Sequence, residues 1–163
     1  IAWFATLKSI LTTDVTSPWY AKPMKLENES LTAENIAAGV AYCGLMCGLC
    51  FLADKCDGCK TANNRCDHNC SDKGCPQKSC CESRKIAGCW ECTELASCEK
   101  GIYSLGNMSK VKAFATAIKE DGLERFTGNV VACLARGLSV EKGKDFDGIP
   151  ISEVIARLRS GDQ

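Results

Sequence analysis

The stretch "AYCGLMCGLCFLADKCDGC", residues 41–59, contains five cysteines and decides how the fold is interpreted. Of the chain's 14 cysteines, all but Cys133 lie between residues 43 and 98. Thiols at this density either pair as disulfides in an oxidising compartment or bind metal in a reducing one. Three features favour metal. No export signal is evident, the block holds an odd number of cysteines, and "CDGC" and "CWEC" each place two sulfurs close together.

The cysteine block has too few apolar side chains to form an ordinary core. Ordering each residue costs roughly 1.5 kcal/mol, which so small an apolar set cannot offset. A structural zinc site contributes on the order of 10 kcal/mol, because its ligands are gathered only in the folded chain. We therefore predict two or three zinc ions, each with four ligands drawn from the cysteines of the block and from His68.

The spacing of Cys43, Cys47 and Cys50 is C-x3-C-x2-C, which radical enzymes that cleave S-adenosylmethionine use to bind an iron–sulfur cluster. Those enzymes need a large partial barrel, and only about 110 residues follow Cys50, half of them within the cysteine block. We interpret the match as a coincidence of spacing. A different iron–sulfur arrangement stays open, because cluster ligation also uses thiolates alone.

Charge and hydropathy exclude two classes of partner. The formal net charge is zero, and each zinc ion with four thiolates would add negative charge, which argues against binding a phosphate backbone. No apolar run approaches the ~20 residues that span a bilayer. Residues 1–11, "IAWFATLKSIL", have apolar positions on one helix face and predict a docking helix rather than an anchor. We expect a cytoplasmic protein with a protein partner.

Helices are predicted on both sides of the cysteine block. "SLTAENIAAGVAYCG" indicates a short helix capped near Ser30 or Thr32, and "CESRKIAG" one or two further turns. "NMSKVKAFATAIKEDG" and "LERFTGNVVACLARG" have helical apolar periodicity, with Gly122 as a C-cap. "ISEVIARLRSG" predicts a last helix with Ser152 as its N-cap. The fold class is mainly α with a loop-rich, metal-stabilised cysteine module. The predicted regions are an N-terminal helix and irregular lead-in (1–39), the metal-binding module (40–100) and a C-terminal helical region (101–163).

Several single residues have competing interpretations. Cys133 lies on an apolar stripe and is expected to be a buried, inert thiol. Trp90 either covers a metal site or stacks on a partner, and the first role is expected. Asp145 and Asp147, in "KDFDG", are expected to form turns rather than a cation site. His68 is the chain's one histidine and a candidate metal ligand, so no Ser–His–Asp set is credible, and no catalytic constellation is evident.

The succession "CGLMCGLC", "CDGC", "CPQKSC", "CWEC" and "CEK" resembles the prokaryotic cysteine-rich domain-of-unknown-function family numbered thirty-seven ninety-five. Its members open with C-G-x-x-C-x-x-C, and the resemblance covers about residues 40–100. It implies zinc binding without an established activity. The family's metal positions fall on Cys43, Cys47, Cys50, Cys56, Cys59, Cys75, Cys80, Cys89, Cys92 and Cys98.

Further candidate ligands lie outside the family pattern. Residues 60–74 look like an enlarged loop that adds Cys66, His68 and Cys70, while Cys81 stands where a small residue is usual. The predicted function is a zinc-binding protein whose cysteine-ligated sites structure a small interaction module. The alternative is an iron–sulfur protein for electron transfer or redox sensing. A third interpretation is metal storage by excess thiols.

Overall fold

The computed structural model describes residues 25–66 and 73–160. These ranges contain five α-helices and no β-strand, and an isolated antiparallel bridge joins Val40 to Met46. This confirms the mainly α fold class. The helices are α1 (Ala33–Ala38), α2 (Pro76–Arg84), α3 (Ser109–Asp121), α4 (Leu123–Ala135) and α5 (Ile151–Arg159). The predicted docking helix in residues 1–11 and the lead-in up to residue 24 lie outside the described residues.

Local sequence signals account for the first helix. Thr32 is the N-cap of α1, and its hydroxyl oxygen accepts a hydrogen bond from the Asn35 amide at 3.2 Å, as predicted. The helix ends at Gly39, and the chain then reverses through a tight turn in which the Ala41 amide donates to the Leu45 carbonyl oxygen at 2.7 Å. This turn places Cys43 beside the helical core.

Helices α3, α4 and α5 form the apolar centre of the molecule. Phe114 packs against Phe126 with ring centroids 5.7 Å apart and against Phe146 at 6.0 Å. Helix α5 buries Val154, Ile155 and Leu158 against this centre. Ile36 of α1, with Val40 and Met46 from the turn, belongs to the same buried cluster. The start of the cysteine segment is therefore packed on the C-terminal helices.

Two predicted helix boundaries differ from the structure. Pro150, not Ser152, is the N-cap of α5, because the fixed φ of proline suits a helix start and its missing amide costs nothing there. Helix α2 begins at Pro76, five residues before the predicted "CESRKIAG" turns, for the same reason. It ends at Arg84, and Lys85 follows in the left-handed conformation with φ 56°.

A buried lysine connects α3 to the loop before α5. The side chain of Lys110 donates to the carbonyl oxygens of Val140 at 3.1 Å and Glu141 at 2.8 Å, and pairs with an Asp147 carboxylate oxygen at 2.8 Å. The two carbonyl hydrogen bonds and the ion pair with Asp147 together offset the cost of burying the charge. Asp147 also accepts from the Gly143 amide, and Asp145 accepts from the Ser139 amide at 2.7 Å. Both aspartates thus form turns, as predicted.

None of the helices in the described ranges has the length and apolar content needed to cross a bilayer.

We predict that Lys110→Ala lowers the free energy of unfolding by about 3–5 kcal/mol, because Asp147 would lose its buried counter-charge. Glu153→Ala is the matched control. It breaks an exposed pair with Arg157, at 2.8 Å, and should cost below about 1 kcal/mol. Urea unfolding monitored by circular dichroism gives both values. Equal losses in the two variants would contradict the role assigned to Lys110.

Candidate metal centre

The described thiols of the cysteine block fall into two groups, each around its own cavity. The seven-cysteine cluster lines a cavity of about 50 Å³ and comprises Cys43, Cys47, Cys50, Cys56, Cys59, Cys66 and Cys75. The five-cysteine cluster lines a cavity of about 30 Å³ and comprises Cys80, Cys81, Cys89, Cys92 and Cys98. Spacing along the chain did not predict this division.

Five short segments bring the seven-cysteine cluster together. Cys43 comes from the turn after α1, and Cys47 and Cys50 bracket one 3-10 turn. Cys56 and Cys59 come from "CDGC", where Gly58 adopts φ 92° and lets the backbone turn between the two thiols.

The remaining two members of the cluster, Cys66 and Cys75, come from separate segments. Cys66 directly follows Arg65, and the Arg65 amide donates a hydrogen bond to the Cys56 sulfur. Cys75 is the N-cap of α2.

Helix α2 and one 3-10 turn form most of the five-cysteine cluster. Cys80 and Cys81 lie on α2, and Cys89 opens the 3-10 helix Cys89–Glu91. The Cys81 and Cys89 sulfurs are 3.7 Å apart. Zn–S bonds of roughly 2.3 Å in a tetrahedron set two sulfurs roughly 3.8 Å apart, whereas a disulfide needs roughly 2.05 Å. This pair therefore has the separation of two ligands of one zinc ion.

None of the thirteen cysteines in the described residues forms a disulfide. Several sulfurs instead accept hydrogen bonds that stabilise a thiolate. The Tyr42 amide donates to Cys59 at 3.3 Å, and the Arg65 amide donates to Cys56 at 3.3 Å. The Arg84 guanidinium donates to Cys92 at 3.2 Å. Donors of this kind orient and tune metal-bound sulfur.

Burial shifts the pKa of several cysteine thiols. It raises the pKa of Cys43 well above its ordinary value, and it also raises the pKa of Cys50 and Cys81. The Cys47 thiol donates to the Cys59 sulfur, which lowers the pKa of Cys59 to about 7 and raises that of Cys47. Binding of an ion would therefore displace protons from most of these thiols.

The donor chemistry suits zinc or an iron–sulfur cluster. Both take thiolate ligands, and each cavity has several cysteines in its lining. Within residues 25–66 and 73–160, no group of three or more His, Cys, Asp or Glu side chains already lies at coordination distance. The thiols thus line common cavities without already forming a coordination sphere.

The structure places the predicted ligands as follows. All ten family positions belong to one cluster or the other, and so do Cys66 and Cys81, which the family pattern omits. His68 and Cys70 lie outside the described residues. Cys133 is fully buried among α4 and α5, apart from both clusters, as predicted.

Two tyrosines that the sequence analysis did not single out connect the clusters. The Tyr42 amide donates to Cys59, and the Tyr42 carbonyl oxygen accepts from the Cys89 amide at 2.7 Å. The Tyr103 hydroxyl donates to the Cys43 carbonyl oxygen at 2.9 Å and lies within hydrogen-bond reach of Cys89. Burial raises the pKa of Tyr103. The sequence feature that could have identified Tyr42 is its position directly before Cys43 in "AYCG".

Trp90 and Tyr42 enclose a cation between the clusters. The Lys60 ammonium lies 5.3 Å from the centroid of the Trp90 ring and 5.2 Å from that of Tyr42. Such cation–π contacts are favourable by about 0.5–1 kcal/mol each when exposed. Lys60 follows Cys59 and Trp90 follows Cys89, so the contact joins one turn of each cluster.

Comparison with known proteins found no matching family model, no matching curated protein and no matching solved structure. The resemblance to the cysteine-rich family stays a prediction.

We predict that Gly44→Ala destabilises the metal-loaded protein by about 1–3 kcal/mol. Gly44 has φ 96°, and a Cβ there would lie 2.8 Å from the Ala115 amide nitrogen of α3, so the turn carrying Cys43 would be displaced. Gly106→Ala is the control, because a Cβ at Gly106 meets nothing within 4 Å. Denaturant unfolding and zinc content would be measured for both variants. Loss of stability without loss of zinc, or equal effects in both, would contradict this account of the turn.

Proposed function

We propose that this chain is a zinc-binding protein whose metal sites hold the loops of residues 40–100 in place for recognition of a protein partner. The observation that carries the proposal is the convergence of twelve thiols on two cavities. The bound ions would act structurally, as the closed ligand sets of structural zinc sites do.

The makeup of the buried clusters in the module supports a structural role for metal. One small cluster combines Cys43 and Cys59 with Ala41 and Val111. The other combines Cys81 and Cys89 with Leu95 and Ala115. Since Val111 and Ala115 belong to α3, the module itself contributes mostly thiols and small side chains. Ligation of these thiols would supply the free energy that apolar burial does not.

Exposed apolar side chains beside the clusters support a protein partner. Phe51 is 66% exposed and directly follows Cys50, while Leu105 is 53% exposed and follows the 3-10 helix that carries Tyr103. Aromatic side chains are enriched where proteins associate. The neutral chain with anionic metal–thiolate centres favours a protein over a nucleic acid. A reducing compartment such as the cytoplasm would keep the thiols available for metal.

Elemental analysis of protein purified without oxygen, together with its visible spectrum, tests the proposal. We expect a colourless protein with stoichiometric zinc. Cys59→Ser should reduce the zinc content, whereas Cys133→Ala, which alters a buried thiol outside both clusters, should leave it unchanged. A brown protein with visible charge-transfer absorption and bound iron would replace this proposal with the iron–sulfur alternative.

We predict that chelation of the metal unfolds the module and leaves α3, α4 and α5 folded, because those helices have their own apolar core. Hydrogen exchange measured before and after adding a chelator checks this. The amides of Tyr42, Arg65 and Cys89 should lose protection, since their acceptors lie in or between the clusters. Amides inside α3 should keep theirs. Unchanged protection throughout the module would contradict a structural role and favour metal storage.

A further inference from the structure

A groove with an apolar lining lies beside the first cysteine turns. It holds a cavity of about 50 Å³, several times the ~10–15 Å³ that one water molecule needs, so it has room for part of a side chain. The cysteine segment contributes to one side of it, and the residues before α3 and after α4 contribute to the other. We call it the Phe51 groove, and its lining includes Leu45, Leu49, Phe51, Met108, Val140 and Glu141.

Two exposed apolar side chains adjoin the Phe51 groove. Phe51 itself is 66% exposed, and Leu105 is 53% exposed. Leu105 lies one turn from the lining, because its carbonyl oxygen accepts from the Met108 amide at 2.9 Å. The Lys142 ammonium lies 5.7 Å from the centroid of the Phe51 ring and leaves most of that ring open to water. Apolar surface that is concentrated in this way is typical of a site that another apolar segment covers.

The described chain begins at the edge of this groove. The Leu26 amide donates to the Gly48 carbonyl oxygen at 2.9 Å, and Gly48 directly precedes Leu49 of the lining. Residues 12–24 therefore connect residues 1–11 to a point beside the groove, and thirteen residues reach at most roughly 45 Å. A tether of this length keeps the segment at a local concentration on the order of millimolar. The connection thus favours residues 1–11 over any free molecule as the occupant.

Residues 1–11, "IAWFATLKSIL", have the chemistry that the groove requires. Their large apolar side chains share one face at helical spacing, and Lys8 is the only charged residue among them. Removing one such side chain from water is favourable by about 1.5–3 kcal/mol. The members of this face are Trp3, Phe4, Leu7, Ile10 and Leu11.

We propose that residues 1–11 dock in the Phe51 groove of their own chain through this apolar face. Phe51 is one of the side chains on which the proposed function bases partner binding, so the inference adds to that function an occupant of the partner surface in the free chain. A protein partner that uses Phe51 would have to displace the segment. No metal ion takes part in this contact.

Photocrosslinking in the full chain tests the docking. A benzophenone analogue of phenylalanine replaces Phe51, and mass spectrometry identifies the crosslinked peptides after illumination of dilute protein. We expect an intrachain crosslink from position 51 to residues 1–11. We expect none when the same analogue replaces Glu82, which is exposed on α2 and does not line the groove. A crosslink between two chains, a crosslink to residues 1–11 from both positions, or none from position 51 would overturn the proposal.

Two variants matched in charge test the apolar face. In the chain with the analogue at position 51, Trp3→Asp with Leu7→Asp should lower the crosslink yield about tenfold or more, because it places carboxylates in an apolar groove. Ala5→Asp with Ser9→Asp adds the same charge on the opposite face and should leave the yield unchanged. Equal yields in the two variants would contradict docking through this face.

The zinc content of the same samples separates this inference from the proposed function. A chain that binds zinc but gives no crosslink from position 51 fails the inference alone. A chain that gives the crosslink but binds no zinc fails the proposed function alone.

Discussion

Sulfur occupies the positions in residues 40–100 where most folded domains have branched apolar side chains. Two cavities lined by seven and five thiols form the inner surfaces of this segment, and the loops around them are short and polar. Buried thiols attract one another only weakly, and burial raises the pKa of several of them. The apolar contacts within the segment are few, so ligation of the sulfurs, as proposed, would supply much of its order.

The rest of the described chain has an ordinary basis for stability. Helices α3, α4 and α5 pack three phenylalanines at their centre, and buried Lys110 fixes the connecting loop. The two parts meet where Gly44 approaches the backbone of Ala115. This contact fixes the first cysteine turn on a surface that needs no metal. The helical part thus provides a base on which the cysteine-bearing loops pack.

Local sequence signals predicted much of the helical part of the chain. The hydroxyl of Thr32 caps α1, and apolar periodicity identified α3 and α4, because both signals are complete within a few residues. The predicted N-cap of α5 was wrong because Pro150 begins the helix two residues earlier than Ser152. Such competition between adjacent start signals is decided by packing, which the sequence does not show directly.

The division of the cysteines could not be predicted, because it depends on contacts between distant segments. Cys75 and Cys80 are five residues apart but serve different clusters, since α2 rises about 1.5 Å per residue and carries Cys80 away from its N-cap. The identity of the metal is not encoded in spacing either, because zinc and iron–sulfur clusters accept the same ligands.

Tyr42 links the two cysteine-lined cavities through its backbone hydrogen bonds. Its amide donates to the Cys59 sulfur, and its carbonyl oxygen accepts from the Cys89 amide. A single α-carbon separates these two backbone groups. Any rotation about that α-carbon that follows the loss of an ion on one side disturbs the hydrogen bond on the other. Free-energy linkage makes this influence mutual. A structural change at either cavity would therefore be felt at the other, to the extent of the coupling free energy between them.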